Sequence, residues 1–310
     1  MERFYQNTAV RTFLALVCCA LWGSAFPCIK IGYEMLEIHG EGSEILFAGY
    51  RFFMAGVLAY LAACAAGRQL VKMKRSSIPY VFGQGLLQTT VQYVCFYIGL
   101  AYTTGAKGSV INGSNAFFSI IAAHFLLKDE KLTWKKIAGC LIGFAGVVVI
   151  NLSPGGMGDG FRLAGEGLIL VCACAYGISS VTLKMIEDRE SPMTITAFQL
   201  LMGGAVLILI GLAAGGRIGR ITPAGLALLL YMALLSTVSF ILWAELLKYN
   251  PVGKVAIFGF SIPVFGVVLS AIFLEEQVFR FQNLMALLLV SLGIFLVNMV
   301  PSGKAADDAC

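Results

Sequence analysis

The chain has 310 residues, 59% of them hydrophobic and only 13% charged, with a mean hydropathy of +0.85 and a formal net charge of +5. A soluble domain of this composition would leave far more apolar surface wet than it could tolerate, so an integral membrane protein is predicted. The positive excess follows from where Lys and Arg sit relative to the bilayer and calls for no nucleic acid.

Apolar runs of around twenty residues match the roughly 30 Å of hydrocarbon that a helix must cross, and the alternation a membrane barrel needs is missing. Ten helical spans are predicted, at 12–33, 45–66, 79–101, 106–127, 134–152, 164–186, 193–215, 224–248, 252–274 and 281–300. The first follows Arg3 and Arg11 but runs on to Ile31 without a small-residue cleavage site, so it is read as an uncleaved membrane helix. In it stands Trp22, and the loop after it carries Glu34, Glu37, Glu41 and Glu44 with no basic residue after Lys30. Most of the 22 Lys and Arg then fall on the opposite side, which places both termini in the cytoplasm of a cell (inner) membrane protein.

Arg51 sits about six residues, or roughly 9 Å, inside the second predicted span, so its charge either snorkels outward or finds a partner. In the third span Gln84, Gln88 and Gln92 recur every four residues on one face. Turned to lipid they would each cost free energy, so they either line a substrate cavity or hydrogen-bond neighbouring helices. Asn112, Asn115 and Ser119 form a similar face on the fourth span, and His124 after them is read as a helix-packing residue. Gly139, Gly143 and Gly146 in the fifth span let another helix of the bundle approach closely. Trp22 and Tyr176, with Tyr93, Trp243 and Phe258, are either an aromatic lining suited to a planar or cationic group or ordinary packing. Glu245 is the carboxylate well inside a predicted span, either a proton or cation site or the partner of Lys248 three residues later.

The chain repeats itself. Moving Leu87–Asn151 forward by 147 positions lays Thr90 on Thr237, Tyr102 on Tyr249, Lys107 on Lys254, Gly146 on Gly293 and Asn151 on Asn298 without a gap. At an offset of 154, Cys18, Trp22, Gly23 and Lys30 match Cys172, Tyr176, Gly177 and Lys184, and after a longer first outer loop changes the offset to 148, Arg51 and Met54 fall on Gln199 and Met202. The predicted units are a five-helix repeat over 1–152, a second over 163–300 and a short cytoplasmic tail over 301–310, with a Gly-rich turn at 153–160 between the halves. Five spans is an odd number, so the second repeat enters from the other side. The expected fold is an all-α integral membrane bundle of two inverted five-helix repeats, with substrate bound between them near the midplane.

No enzyme signature is found. Gly156, Met157, Gly158 and Asp159 imitate the turn of an intramembrane aspartyl protease without a second Asp in any span, and H-E-x-x-H and phosphate-loop patterns are missing. Eight of the nine cysteines lie in apolar runs, no C-x-x-C exists, and His39 and His124 cannot complete a zinc site, so no disulfide, metal or cofactor is expected.

Trp22 to Phe26 before Lys30, Arg51 with Phe52, the helix end Phe273 to Glu276, and Pro263 in the ninth span together resemble the EamA-type branch of the drug/metabolite transporter superfamily over nearly the whole chain. At the position in the fourth span equivalent to Pro263 stands Ala116, which removes the proline reason for a bend there. The resemblance implies a secondary transporter, more often an exporter, of a small organic metabolite such as an amino acid or related compound. The alternatives are a non-transporting membrane sensor or assembly protein, and a passive channel. Its partners would be a small-molecule substrate and the lipid bilayer.

Overall fold

The computed structural model describes residues 2–67, 71–127, 132–152, 161–186, 188–250, 255, 257–276 and 281–298. Lys128, Lys131, Lys254, the turn at 153–160, the tail from 301 and the side chain of Lys248 lie outside the described residues. Thirteen α-helices are described: α1 (Glu2–Gln6), α2 (Thr8–Met35), α3 (Glu41–Gly67), α4 (Ile78–Gly85), α5 (Gln92–Ala101), α6 (Gly105–Asn112), α7 (Asn115–Leu126), α8 (Trp134–Leu152), α9 (Leu168–Ile186), α10 (Pro192–Ala213), α11 (Pro223–Tyr249), α12 (Ser261–Phe273) and α13 (Phe281–Asn298). Among the described residues there is no strand.

Helix starts follow local chemistry. Asn7 accepts from the Ala9 and Val10 N–H groups to open α2, and Ser191 and Thr222 cap α10 and α11, each with proline in the first turn. Seven helical stretches are long and apolar enough to cross a membrane, namely Thr8–Met35, Glu41–Gly67, Gly105–Leu126, Trp134–Asn151, Leu163–Ile186, Pro192–Ala213 and Pro223–Leu246. Phe258–Phe273 and Asn283–Val297 are shorter apolar helices. α4 and α5 are joined head to tail by a π-helical turn, Leu86–Val91, and a second π turn, Leu163–Gly167, leads into α9.

Although Ala116 stands where a proline would bend the fourth span, the helix still breaks there, through the turn Gly113–Ser114 between α6 and α7. The equivalent place in the second half is Phe260–Ser261, where a 3-10 turn, Ile257–Phe260, becomes α12. Both breaks occur at the same register of the 147-residue repeat, so the bend belongs to the repeat and not to the proline.

Two pairs of counterpart helices, α3 with α10 and α8 with α13, pack on each other and run antiparallel. Along α3, Gly42 faces Ala214 just past the end of α10, and Gly49 and Gly56 face Ile208 and Leu201 within it, while Gly204 and Gly211 of α10 face Phe53 and Leu46. A Cβ at Gly56 would stand 2.5 Å from the Leu201 amide nitrogen, so only glycine allows the backbones this close. The seven-residue spacing keeps these glycines on one seam of a left-handed crossing. α8 and α13 pair in the same sense, with Gly139 on Val297, Gly143 against Gly293 and Gly146 on Val290.

Contacts between the halves recur under the repeat. The Thr90 hydroxyl donates to the Gly203 carbonyl at 3.2 Å, and its counterpart Thr237 donates to the Ala55 carbonyl at 2.9 Å. Gly23 of α2 lies against Phe265 of α12 as Gly177 of α9 lies against Phe118 of α7. One apolar core, with Phe26, Phe47, Phe52, Ile111, Ile169 and Leu207 among its members, runs through both halves.

Candidate functional site

Arg51 does not snorkel. α3 begins at Glu41, about one turn earlier than the apolar pattern predicts, which puts Arg51 roughly 15 Å from the helix start, beyond the reach of its side chain. It is only 2% exposed. Its Nε donates to the Ser236 hydroxyl at 3.1 Å and the Met232 carbonyl at 3.3 Å, Nη2 to Ser236 at 3.0 Å, and Nη1 to the Tyr97 hydroxyl at 3.0 Å. The guanidinium also lies 4.8 Å from the Phe52 ring centroid.

Aromatic side chains extend from this point. Tyr33 donates to the Tyr97 carbonyl at 2.8 Å, and Tyr93 leans on Phe52 with ring centroids 3.9 Å apart. The electrostatic neighbours of Tyr93 include Arg51, Tyr97, Cys172 and Tyr176, and Tyr176 neighbours Cys19 in turn. α2, α3, α5 and α9 therefore meet around Arg51, Tyr93 and Tyr176. The other aromatic candidates form a separate group: Trp22 stands edge-on to Trp243 at 5.2 Å and to Phe240 at 5.8 Å, and Trp243 and Phe258 pack on Leu246 and Val255. A thiol links the groups, since Cys19 donates to the Phe258 carbonyl at 3.2 Å.

The amide stripe divides along its length. Gln84 Nε2 donates to the Ser179 carbonyl at 2.9 Å and to Gln88 Oε1 at 2.8 Å, and Gln84 Oε1 accepts from Thr182 at 2.7 Å. Gln84 and Gln88 thus tie α4 and the π turn to α9. Gln92, one turn on, is equally buried, but its Oε1 has no partner among the described residues. Asn112 is half-buried and accepts from the Cys172 thiol at 3.7 Å. Half-buried Asn115 opens α7, where its carbonyl accepts from Ser119, which in turn accepts from Ser180 at 3.1 Å.

Glu245 lies toward the end of α11 beside α1, where burial first and then the Glu245 carboxylate hold the Tyr5 phenol above its ordinary value. That places it at the mouth of the bundle and away from Arg51. His124 is exposed on the last turn of α7, its ring 5.2 Å from that of Phe125.

Two charged arrangements escape a reading of the spans. Lys107 and Glu166, 2% and 3% exposed, pair at 3.0 Å, and Glu166 also accepts from the Thr103 hydroxyl and the Arg162 N–H at 2.7 Å each. Close by, the Glu276 carboxylate accepts from the Gly105 N–H at 2.7 Å and the Ala106 N–H at 2.8 Å, capping α6 from the end of α12. Glu275 before it has φ 53°, a left-handed conformation uncommon outside glycine, and so marks local strain. The signal was present in part: Lys107 keeps its register in the repeat, and Glu276 closes the motif from Phe273. Glu166 was passed over because it falls in the first turn of a predicted span, where a carboxylate is unremarked.

Below this cap, Gly105 lies against Ser270 and Leu274, and Ser109 against Gly266, so α6 and α12 are zipped together. Past Asn112 they part. Gly113 lies on Val290 and Ile294 of α13, and α7 packs on α9. The half-buried Asn112 and Asn115 stand at the fork.

The EamA-like transporter family matches the chain twice, over residues 11–152 and 163–299. An uncharacterized transporter of Bacillus subtilis (strain 168) is 28% identical over 307 residues, covering 97% of this chain and 96% of its own. A probable amino-acid metabolite efflux pump of Salmonella typhimurium is 24% identical over 291 residues, covering 90% of this chain and 92% of its own. A solved crystal structure superposes with a TM-score of 0.70 at 16% identity over 96% of this chain and 99% of the other, and so shares the fold.

Proposed function

Because the chain belongs to the EamA-like transporter family, we propose that this multi-pass membrane protein is a secondary exporter of a small organic metabolite, such as an amino acid or related compound. It works by alternating access between two inverted five-helix halves of a ten-span bundle in the cell membrane, with both termini cytoplasmic. The observation that carries this reading is the antiparallel pairing of counterparts, α3 with α10 and α8 with α13. A two-fold axis that relates antiparallel counterparts lies across the helices, which is the arrangement in which one half can take the conformation of the other.

On the orientation set by Lys and Arg, the Glu276 cap and the zipped α6 and α12 lie at the outer face. The fork at Asn112 then opens toward the cytoplasm, in keeping with an inward-facing state. Arg51, Gln92, Tyr93 and Tyr176 form the central part of the substrate site, with Asn112, Asn115, Trp22, Trp243 and Phe258 along its cytoplasmic approach and Gln88 supporting it from behind.

Counterflow tests this. Proteoliposomes loaded with one unlabelled amino acid at a time are diluted into the same labelled amino acid. A carrier gives transient accumulation above equilibrium for at least one of them. Passive equilibration without overshoot, or no movement of any of the twenty, contradicts it.

A further inference from the structure

We propose that Arg51 recognises a carboxylate on the transported molecule, so that the substrate class is small organic acids and zwitterions. This rests on the transport reading and adds to it the chemistry of the substrate. Among the described residues every hydrogen-bond partner of the Arg51 guanidinium is neutral: a serine hydroxyl, a tyrosine hydroxyl and a peptide carbonyl. At 2% exposure a cation without an anionic partner is costly, and proteins ordinarily pair or neutralise it. Two lysines in the spans do have opposite charges near them. Lys107 holds Glu166, and Lys30 has Glu276 and Glu34 as its electrostatic neighbours. On the face of α3 that carries Arg51, Glu44 is seven positions away, about 10 Å along the helix, too far for contact.

The repeat sharpens the point. Gln199 occupies the position of Arg51 in the second half, and Thr89 that of Ser236, and both keep a buried oxygen without a partner among the described residues. The second half therefore holds these helices together without the bonds that Arg51 makes, and packing alone does not explain a guanidinium in one half. A guanidinium has five N–H groups in a planar fork, more than Tyr97, Ser236 and Met232 together engage, and the fork matches a carboxylate. Half-buried Tyr93 has both Arg51 and the half-buried Tyr176 as electrostatic neighbours, and the two tyrosines would supply the aromatic wall through which the rest of the molecule is held.

The test uses purified full-length protein in detergent, with labelled L-phenylalanine, L-leucine and L-cysteine as probes and the unlabelled amide of each as competitor. In the unaltered protein at least one acid should bind, and its amide should compete at least tenfold more weakly. Arg51→Gln, checked for an unchanged elution profile and helical content, should bring acid and amide within about threefold of each other, and Arg51→Lys should keep part of the preference. If Arg51→Gln fails to fold, the acid-to-amide ratio of Arg51→Lys decides, and it should fall. The proposal is overturned if no acid binds, if the amide competes equally in the unaltered protein, or if the ratio survives the substitution. Acid binding without counterflow would remove the transport reading and leave the assignment of Arg51. Counterflow with equal use of amides would do the reverse.

Discussion

Two buried charges of different kinds are set by single residues, and their substitutions separate their roles. Lys107 and Glu166 pair at 3.0 Å, so Glu166→Leu alone should take the carboxylate from a buried ammonium and cost about 3–5 kcal/mol, read as a fall in the unfolding midpoint in detergent. The double change Lys107→Met with Glu166→Leu should recover most of that loss, and a double variant as unstable as the single one would contradict the pairing. The glutamines form a second contrast. Gln84 makes bonds to Ser179, Thr182 and Gln88, so Gln84→Leu should lower the yield of folded protein. Gln92 has an oxygen without a partner among the described residues, so Gln92→Leu should leave folding intact while reducing transport, by the tenfold or less that a lost hydrogen bond of about 0.5–1.5 kcal/mol allows. Equal loss of folded protein and transport in Gln92→Leu would instead make it interhelical glue.

Among the elements, the seam of α3 on α10 is where side-chain volume should matter most. Gly56→Leu would press a side chain into the Leu201 backbone and should destabilise by about 1–3 kcal/mol or more. Gly83→Ala meets nothing within 4 Å and should be neutral or gain up to about 1 kcal/mol of helix propensity, measured by the same melting assay. Element positions were largely legible from twenty-residue apolar runs, because a membrane helix must satisfy its backbone internally and so advertises its length. Where the reading fell short, the cause was periodic packing or local hydrogen bonding that hydropathy does not carry. The seven-residue spacing of Gly42, Gly49 and Gly56 was present in the sequence, but shows its meaning only once the antiparallel partner is in place. The early start of α3 at Glu41 moved Arg51 from an interfacial depth to the interior. The break at Gly113–Ser114 has no proline to announce it, and the register of Phe260–Ser261 in the other half was the available clue. For the site, the aromatic and polar residue types were readable, whereas their division into a Tyr93–Tyr176 group and a Trp22–Trp243 group depends on helix crossings.

For the whole molecule, the orientation and the exchange of conformations are the two claims that follow from the repeat. With native cysteines replaced, single cysteines at Lys72 and Lys135 should be labelled by an impermeant thiol reagent only from the cytoplasmic side, because that is where the Lys and Arg bias puts them. Alternating access itself is tested most directly by following two sites at once, Ser109, now fully buried where α6 meets α12, and Asn115, half-buried beyond the fork. In the unaltered background, Asn115→Cys should react with the reagent from the cytoplasmic side of inside-out vesicles and Ser109→Cys from neither side. Glu276→Gln weakens the cap on α6 by removing the charge that accepts the Gly105 and Ala106 N–H groups. The account predicts that Ser109→Cys then becomes reactive from outside while Asn115→Cys loses reactivity from inside by a similar factor. Both sites gaining reactivity together, or Asn115→Cys remaining unchanged, would mean that the bundle has merely loosened, and would contradict an exchange between its halves.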